Sequence, residues 1–101
     1  MTYSLVIRPE AEEDLRQAYH WYEEQREGLG EDFLLCVEAA LTAIQESPLR
    51  YPAIHRDMRR ILVRRFPYGV FYCVRRHEVS VLAVFHCRRH PRGWQRRRGR
   101  T

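Results

Sequence analysis

The sequence predicts an α+β domain in which one strand, an antiparallel pair of helices and a three-stranded antiparallel meander share one core. Two observations support this fold class. Apolar residues recur at helical spacing in the first half of the chain, and short β-prone runs separated by turn signals fill the second half. The length of 101 residues suits a single domain. We assign residues 1–95 to that domain and residues 96–101 to a basic tail.

The two helices are predicted at residues 9–26 and 31–46. Pro9 suits the first position of a helix, and the acidic residues that follow it favour the helix N-terminus. Gly28 and Gly30 are expected to end the first helix. Because the link between the two helices is so short, they should form an antiparallel hairpin.

The strands are predicted at residues 3–8, 59–66, 70–76 and 79–88, and residues 49–58 are expected to be irregular. The turn signals FPYG and RHE separate the last three strands. These three strands should therefore form an antiparallel meander that packs on the helices.

If both turns make simple hairpins, the alternation of side chains sorts the meander into two faces. The face expected to pack on the helices carries Ile61, Val63, Val70, Tyr72, Val74, Val81, Ala83 and Phe85. The opposite face is apolar in the middle and basic at the edges, and it carries Arg60, Leu62, Arg64, Phe71, Cys73, Arg75, Ser80, Leu82, Val84, His86 and Arg88. A solvent-facing surface of this kind predicts a docking site for a partner. The alternative is that a third helix or the tail of the chain itself covers it.

Charge is divided unevenly along the chain. Residues 1–47 hold 11 acidic residues and three Arg, whereas residues 48–101 hold 15 Arg and two acidic residues. The chain contains no Lys, and Arg favours bidentate contacts to phosphate or carboxylate. The basic half therefore predicts an anionic partner, which is either a nucleic acid or an acidic protein.

Other features concern the compartment and cofactors. The sequence has no apolar run long enough to cross a bilayer and no signal-peptide pattern, which predicts a cytoplasmic protein without a membrane partner. Three cysteines without a CxxC motif fit a reducing compartment. His86, Cys87 and His90 match no compact four-ligand site, so neither a metal nor another cofactor is expected.

Three segments carry a family resemblance: AEEDLRQAYHWYEE in the first helix, FPYGVFYCV at the hairpin and VLAVFHCRRHPRGW at the end. With the order strand–helix–helix–three strands, the chain resembles the RelE/ParE toxin superfamily of bacterial type II toxin–antitoxin modules over nearly its whole length. The resemblance implies a small α+β toxin in a hetero-oligomer with a cognate antitoxin, which wraps an acidic or amphipathic segment around the toxin.

The resemblance implies one of two activities. RelE-like members cut mRNA on the ribosome, whereas ParE-like members inhibit DNA gyrase and are not nucleases. In a RelE-like reading, His86 could titrate near neutrality, and Arg64 and Arg88 could hold the scissile phosphate. The C-terminal region carries Trp94 but no Tyr of the kind that RelE-like members use there, which favours the ParE-like activity.

The residues expected to contact the target or the antitoxin lie on the basic sheet face and after the last strand. They are Arg60, Leu62, Arg64, Phe71, Arg75, Leu82, Val84, Arg88, Arg89 and Trp94. A third possibility, a nucleic-acid-binding module without toxicity, depends on the basic half alone.

Overall fold

The computed structural model describes residues 3–88, 93 and 95–98. Two helices and a five-stranded sheet form an α+β fold, which confirms the predicted class. The elements follow in the order β1 (Ser4–Ile7), α1 (Pro9–Gln25), α2 (Leu29–Glu46), a 3₁₀ turn (Pro48–Arg50), β2 (Ala53–His55), β3 (Met58–Leu62), β4 (Tyr68–Arg75), β5 (Glu78–His86) and α3 (Gln95–Arg98).

The sheet has the strand order β1-β5-β4-β3-β2. The strand β1 is parallel to β5, and the remaining neighbours are antiparallel. The prediction missed β2, which forms within the segment expected to be irregular and pairs with β3. A strand of three residues beside Pro52 is too short to give a readable alternation.

The link between the two helices is tighter than predicted. Gly30 belongs to α2 rather than to the link, and a Cβ at this position would lie 2.8 Å from the Tyr19 ring. Gly28 precedes α2 with φ of 87°, a conformation that favours glycine. The carboxylate of Glu23 accepts the N–H groups of both glycines at 3.0 Å and so caps the start of α2.

Both helices pack on one face of the sheet. Tyr22 and Phe33 lie against Phe66 and Tyr68 with ring centroids 4.9 to 6.0 Å apart. Tyr72 is fully buried in the same core, and its hydroxyl donates to the Pro48 carbonyl at 2.6 Å. This helix-facing core also contains Ala11, Ala18, Val37, Ala40, Ile44, Val63, Val70, Val79, Val81 and Val84.

The register of β3 against β4 differs from the simple-hairpin prediction. A simple hairpin of the predicted strands would place Ile61 beside Val74, but Ile61 lies opposite Val70, four residues away. The Val63 N–H donates to the Tyr68 carbonyl, so the turn between β3 and β4 consists of residues 63–67 only. An even shift leaves each side chain on its predicted face.

A β-bulge in β5 changes the predicted faces. Tyr72 lies opposite Val81 and Phe71 lies opposite Ala83, which leaves Leu82 as an extra residue. An insertion of one residue exchanges the faces beyond it. The prediction for the end of β5 is therefore wrong: Val84 joins the helix-facing core, and Ala83 and Phe85 belong to the opposite face.

The apolar middle of the opposite face is buried, which contradicts the prediction of an exposed docking floor. Met58, Phe71, Cys73, Leu82 and Ala83 are at most 7% exposed and form a second apolar cluster. Ile54 of β2 packs on this cluster, and the Arg97 guanidinium of α3 lies 4.8 Å from the centroid of the Phe85 ring. Two segments of the chain itself, β2 and α3, therefore contribute to the cover.

Two further observations concern the cysteines and the membrane. Cys36, Cys73 and Cys87, all within the described residues, form no disulfide. Within the residues described above, no helix combines the length and the apolar character that crossing a membrane requires.

Candidate functional site

The β3–β4 turn and the end of β5 meet at one end of the sheet. Tyr68 lies opposite His86, and the Cys87 N–H donates to the Pro67 carbonyl at 2.8 Å. Arg64 in the turn and Arg88 after β5 are both exposed at this end. The fold therefore brings two of the predicted cations and His86 to the same end of the molecule.

His86 lies on the helix-facing side of β5, and the prediction of a place on the opposite face is wrong. Its ring meets the Tyr68 ring edge to face, with centroids 5.3 Å apart, and its Nδ1 accepts the Arg88 N–H at 3.1 Å. The bulge at Leu82 is the reason, because it reverses the alternation for the rest of the strand.

A groove of about 230 Å³ lies between α1 and the second half of β5. Trp21, which is 44% exposed, borders it from α1. The groove is lined by Asp14, Gln17, Ala18, Trp21, Tyr68, Val84, Phe85 and His86. His86 thus faces a half-open cleft beside the helix rather than the basic sheet face.

The basic rim of the opposite face is accessible. We use "basic rim" for Arg60, Leu62 and Arg75, of which Leu62 is 57% exposed and Arg75 lies opposite Glu78. The stem of Arg60 passes over Gly69, where a Cβ would lie 3.1 Å from Arg60 Cδ. A side chain at position 69 would therefore displace this arginine.

The remaining predicted contact residues divide into two groups. Phe71, Leu82 and Val84 are 2% exposed, so a partner cannot reach them without moving their cover. Arg89 and Trp94 lie outside the described residues, as does His90, which was considered as a metal ligand. Within the described part of the chain, no three His, Cys, Asp or Glu side chains are grouped closely enough to hold a metal ion.

An ion pair between Asp14 and Arg97 was not foreseen from the sequence. Arg97 Nη1 and Nη2 lie 3.0 and 3.2 Å from the two carboxylate oxygens of Asp14, and the side chains are 19% and 12% exposed. Nη1 also donates to the Leu82 carbonyl at 3.0 Å. Burial raises the pKa of Asp14, although the bonds from Arg97 and from the Val84 N–H lower it.

The open edge of β5 explains why this pair forms. The strand β1 pairs with β5 only as far as Val81, so within the described part of the chain no strand borders the bulged half on that side. The Leu82 carbonyl bonds Arg97, and the Val84 N–H donates to Asp14 at 3.0 Å. Side chains thus replace the missing strand. From the sequence, Asp14 was one of the acidic residues at the start of the first helix and Arg97 a residue of the basic tail, since nothing local indicates a bulge.

Two solved structures share this α+β fold. A chain from the chromosomal ParDE toxin–antitoxin system of P. aeruginosa is similar with a TM-score of 0.76 and 17% identity, over 84% of this chain and 96% of that chain. The E. coli toxin RelE, as a double arginine-to-alanine mutant in the free state, is similar with a TM-score of 0.66 and 22% identity, over 87% and 86%. At identities this low, the two matches show a shared fold alone.

The family is given by the sequence itself. Residues 5–91 match the family model described as the ParE toxin of the type II toxin–antitoxin system, parDE. The chain therefore belongs to the ParE toxin family, which confirms the resemblance to the RelE/ParE superfamily. Among curated proteins, none matches the sequence significantly.

Proposed function

We propose that the chain is a toxin that inhibits DNA gyrase in the cytoplasm without cutting RNA, and that a cognate antitoxin neutralises it in a hetero-oligomer. Membership of the ParE toxin family supports this proposal. The alternative, ribosome-dependent cleavage of mRNA, would require a catalytic centre made from the same residues.

The position of His86 is the observation that carries the choice between the two activities. Cutting RNA requires a base within hydrogen-bond reach of the 2′-hydroxyl and cations at the scissile phosphate. His86 packs on Tyr68 beside α1 and accepts an N–H at Nδ1, whereas Arg60 extends from the opposite side of the sheet. Arg64 and Arg88 lie at the end of the sheet that carries His86. The packing of the His86 ring on Tyr68 and the bond to its Nδ1 hold the imidazole against the domain, which favours an inhibitor that acts by binding.

The test compares two reactions with the same purified chain. We expect inhibition of gyrase supercoiling, and no cleavage of mRNA on translating ribosomes. His86→Gln keeps the size and polarity of the side chain but cannot act as a base, and we expect it to inhibit gyrase as strongly as the unaltered chain. Cleavage of mRNA that His86→Gln abolishes would contradict the proposal and favour the RelE-like activity.

The basic rim is the surface that we propose for the antitoxin. Arg60, Leu62 and Arg75 combine two guanidinium groups with an exposed apolar side chain, which suits an acidic or amphipathic segment. Arg64 and Arg88 extend this basic surface at the end of the sheet. The buried Phe71 and Leu82 then support the rim from below rather than contacting the partner.

The antitoxin surface can be tested by charge reversal. Arg60→Glu and Arg75→Glu should each weaken co-purification with the protein encoded beside the toxin gene, because repulsion replaces attraction. Arg16→Glu, an equal reversal on the exposed face of α1, is the matched control and should leave binding unchanged. Equal loss of co-purification for the rim variants and the control variant would contradict the proposal that the antitoxin binds the basic rim.

A further inference from the structure

Arg97 is held by three chemically different groups. The Asp14 carboxylate receives a two-pronged bond at 3.0 and 3.2 Å, the Leu82 carbonyl accepts a third bond, and the Phe85 ring lies 4.8 Å from the guanidinium carbon. A fork to a carboxylate, a backbone acceptor and an aromatic face together select a planar guanidinium over an ammonium.

The receiving groups do not depend on the segment that carries Arg97. Asp14 lies on the 17-residue helix α1, and its carboxylate also accepts the Val84 N–H. The bulge fixes the Leu82 carbonyl at the open edge of β5, and Phe85 packs on the second apolar cluster. Arg97 itself belongs to the four-residue α3. The site is therefore built by the domain and filled by its C-terminal segment.

The surroundings of the site favour the approach of a cation. A cleft of about 510 Å³ leads to it along α1. Glu10 and Glu13 line this cleft together with Asp14, Pro9, Gln17, Phe85 and Arg97. Negative charge at the mouth raises the local concentration of cationic side chains.

We propose that Asp14, the Leu82 carbonyl and Phe85 form an arginine-binding site, which Arg97 fills in cis and which accepts an arginine of a second polypeptide when the C-terminal segment is withdrawn. The ligand class is an arginine side chain in a basic peptide. This inference goes beyond the proposed function, because it requires neither gyrase nor the antitoxin.

The experiment uses the full chain with Arg97→Ala and a peptide of residues 95–101, QRRRGRT. We expect saturable binding by calorimetry to Arg97→Ala and at least about tenfold weaker binding to the unaltered chain, whose site is filled. A peptide of equal charge, with lysine at the position that corresponds to Arg97 (QRKRGRT), should bind Arg97→Ala about tenfold more weakly, since it loses the charge-assisted fork.

Three further variants make the result specific. Arg96→Ala, which alters the exposed neighbour, should bind the peptide as weakly as the unaltered chain does. The double variant Asp14→Asn with Arg97→Ala should lose the preference for arginine. Arg97→Lys keeps the positive charge and should bind the arginine peptide even if Arg97→Ala proves unstable.

The Val84 amide resonance reports occupancy, because this N–H donates to Asp14. Its shift in Arg97→Ala should return toward the native value when the peptide is added. Equal affinity of the arginine and lysine peptides, or equal binding to the unaltered chain and to Arg97→Ala, would overturn the proposal and indicate attraction by charge alone.

Discussion

The two halves of β5 satisfy their backbone groups in different ways. Residues 78–81 lie between β1 and β4, so strands border them on both sides. Among the described residues, only β4 borders residues 82–86, and the side chains of Asp14 and Arg97 bond their other edge. A strand can therefore end its sheet pairing midway without leaving buried backbone N–H and C=O groups unpaired, provided that distant side chains form those hydrogen bonds.

The largest loss of stability should come from removing the Asp14 side chain, which bonds the open edge of β5 in place of a strand. Asp14→Ala leaves Arg97 without its fork partner and the Val84 N–H without its acceptor. We expect a loss of about 3 kcal/mol in the free energy of unfolding, since breaking a mostly buried pair leaves an uncompensated charge. Urea unfolding followed by circular dichroism measures it.

Asp14→Asn is the matched control, because the amide oxygen can still accept the Val84 N–H. Its loss should be about half of that for Asp14→Ala. If both variants unfold at the urea concentration of the unaltered chain, strand replacement by Asp14 contributes nothing to stability.

Substitutions in the first half of β5 should lower the stability through lost core packing instead of lost edge hydrogen bonds. Val81→Ala removes two methyl groups from a fully buried position of the helix-facing core. We expect a loss of about 2 kcal/mol from transfer and cavity terms. Ser80→Ala, the neighbouring position on the other face, should change stability by less than about 0.5 kcal/mol. A cost at Ser80 equal to that at Val81 would contradict the assignment of faces.

Tyr72 links β4 to the 3₁₀ turn after α2, and its substitution should have a smaller, pH-dependent effect on stability. Tyr72→Phe removes the buried bond to the Pro48 carbonyl and should cost about 1 kcal/mol at neutral pH.

Burial raises the pKa of Tyr72 from 10.0 to about 12. Between these values the native state retains a proton that the unfolded chain loses, so the advantage of the unaltered chain over Tyr72→Phe should fall as the pH rises from 10 to 12. An advantage that is constant across this range would show that Tyr72 titrates alike in both states.

The smallest effect is expected at the exposed pair of Arg16 and Glu13 on α1. The guanidinium lowers the pKa of Glu13 to about 2, but the side chains of Arg16 and Glu13 are 59% and 48% exposed to solvent. Arg16→Ala should leave the unfolding midpoint unchanged within error, because exposed pairs contribute little. A clear drop would show that the outer face of α1 matters as much as the edge of β5.

Local patterns predicted the helices, the two hairpin turns and the faces of the meander as far as Leu82. They failed after Leu82, because alternation has a period of two and carries no sign of an inserted residue. His86 and Val84 were consequently assigned to the wrong face. The Asp14–Arg97 pair joins positions 83 residues apart, and the Glu23 cap depends on the geometry of the helix link. Neither leaves a local signal in the sequence.

Gyrase supercoiling in the presence of the purified, unaltered chain is the most direct test of the central claim. We expect that the chain inhibits supercoiling in a dose-dependent way and that the antitoxin relieves the inhibition. At the same doses, mRNA on ribosomes should stay intact. Full supercoiling activity at doses that cleave ribosome-bound mRNA would contradict it.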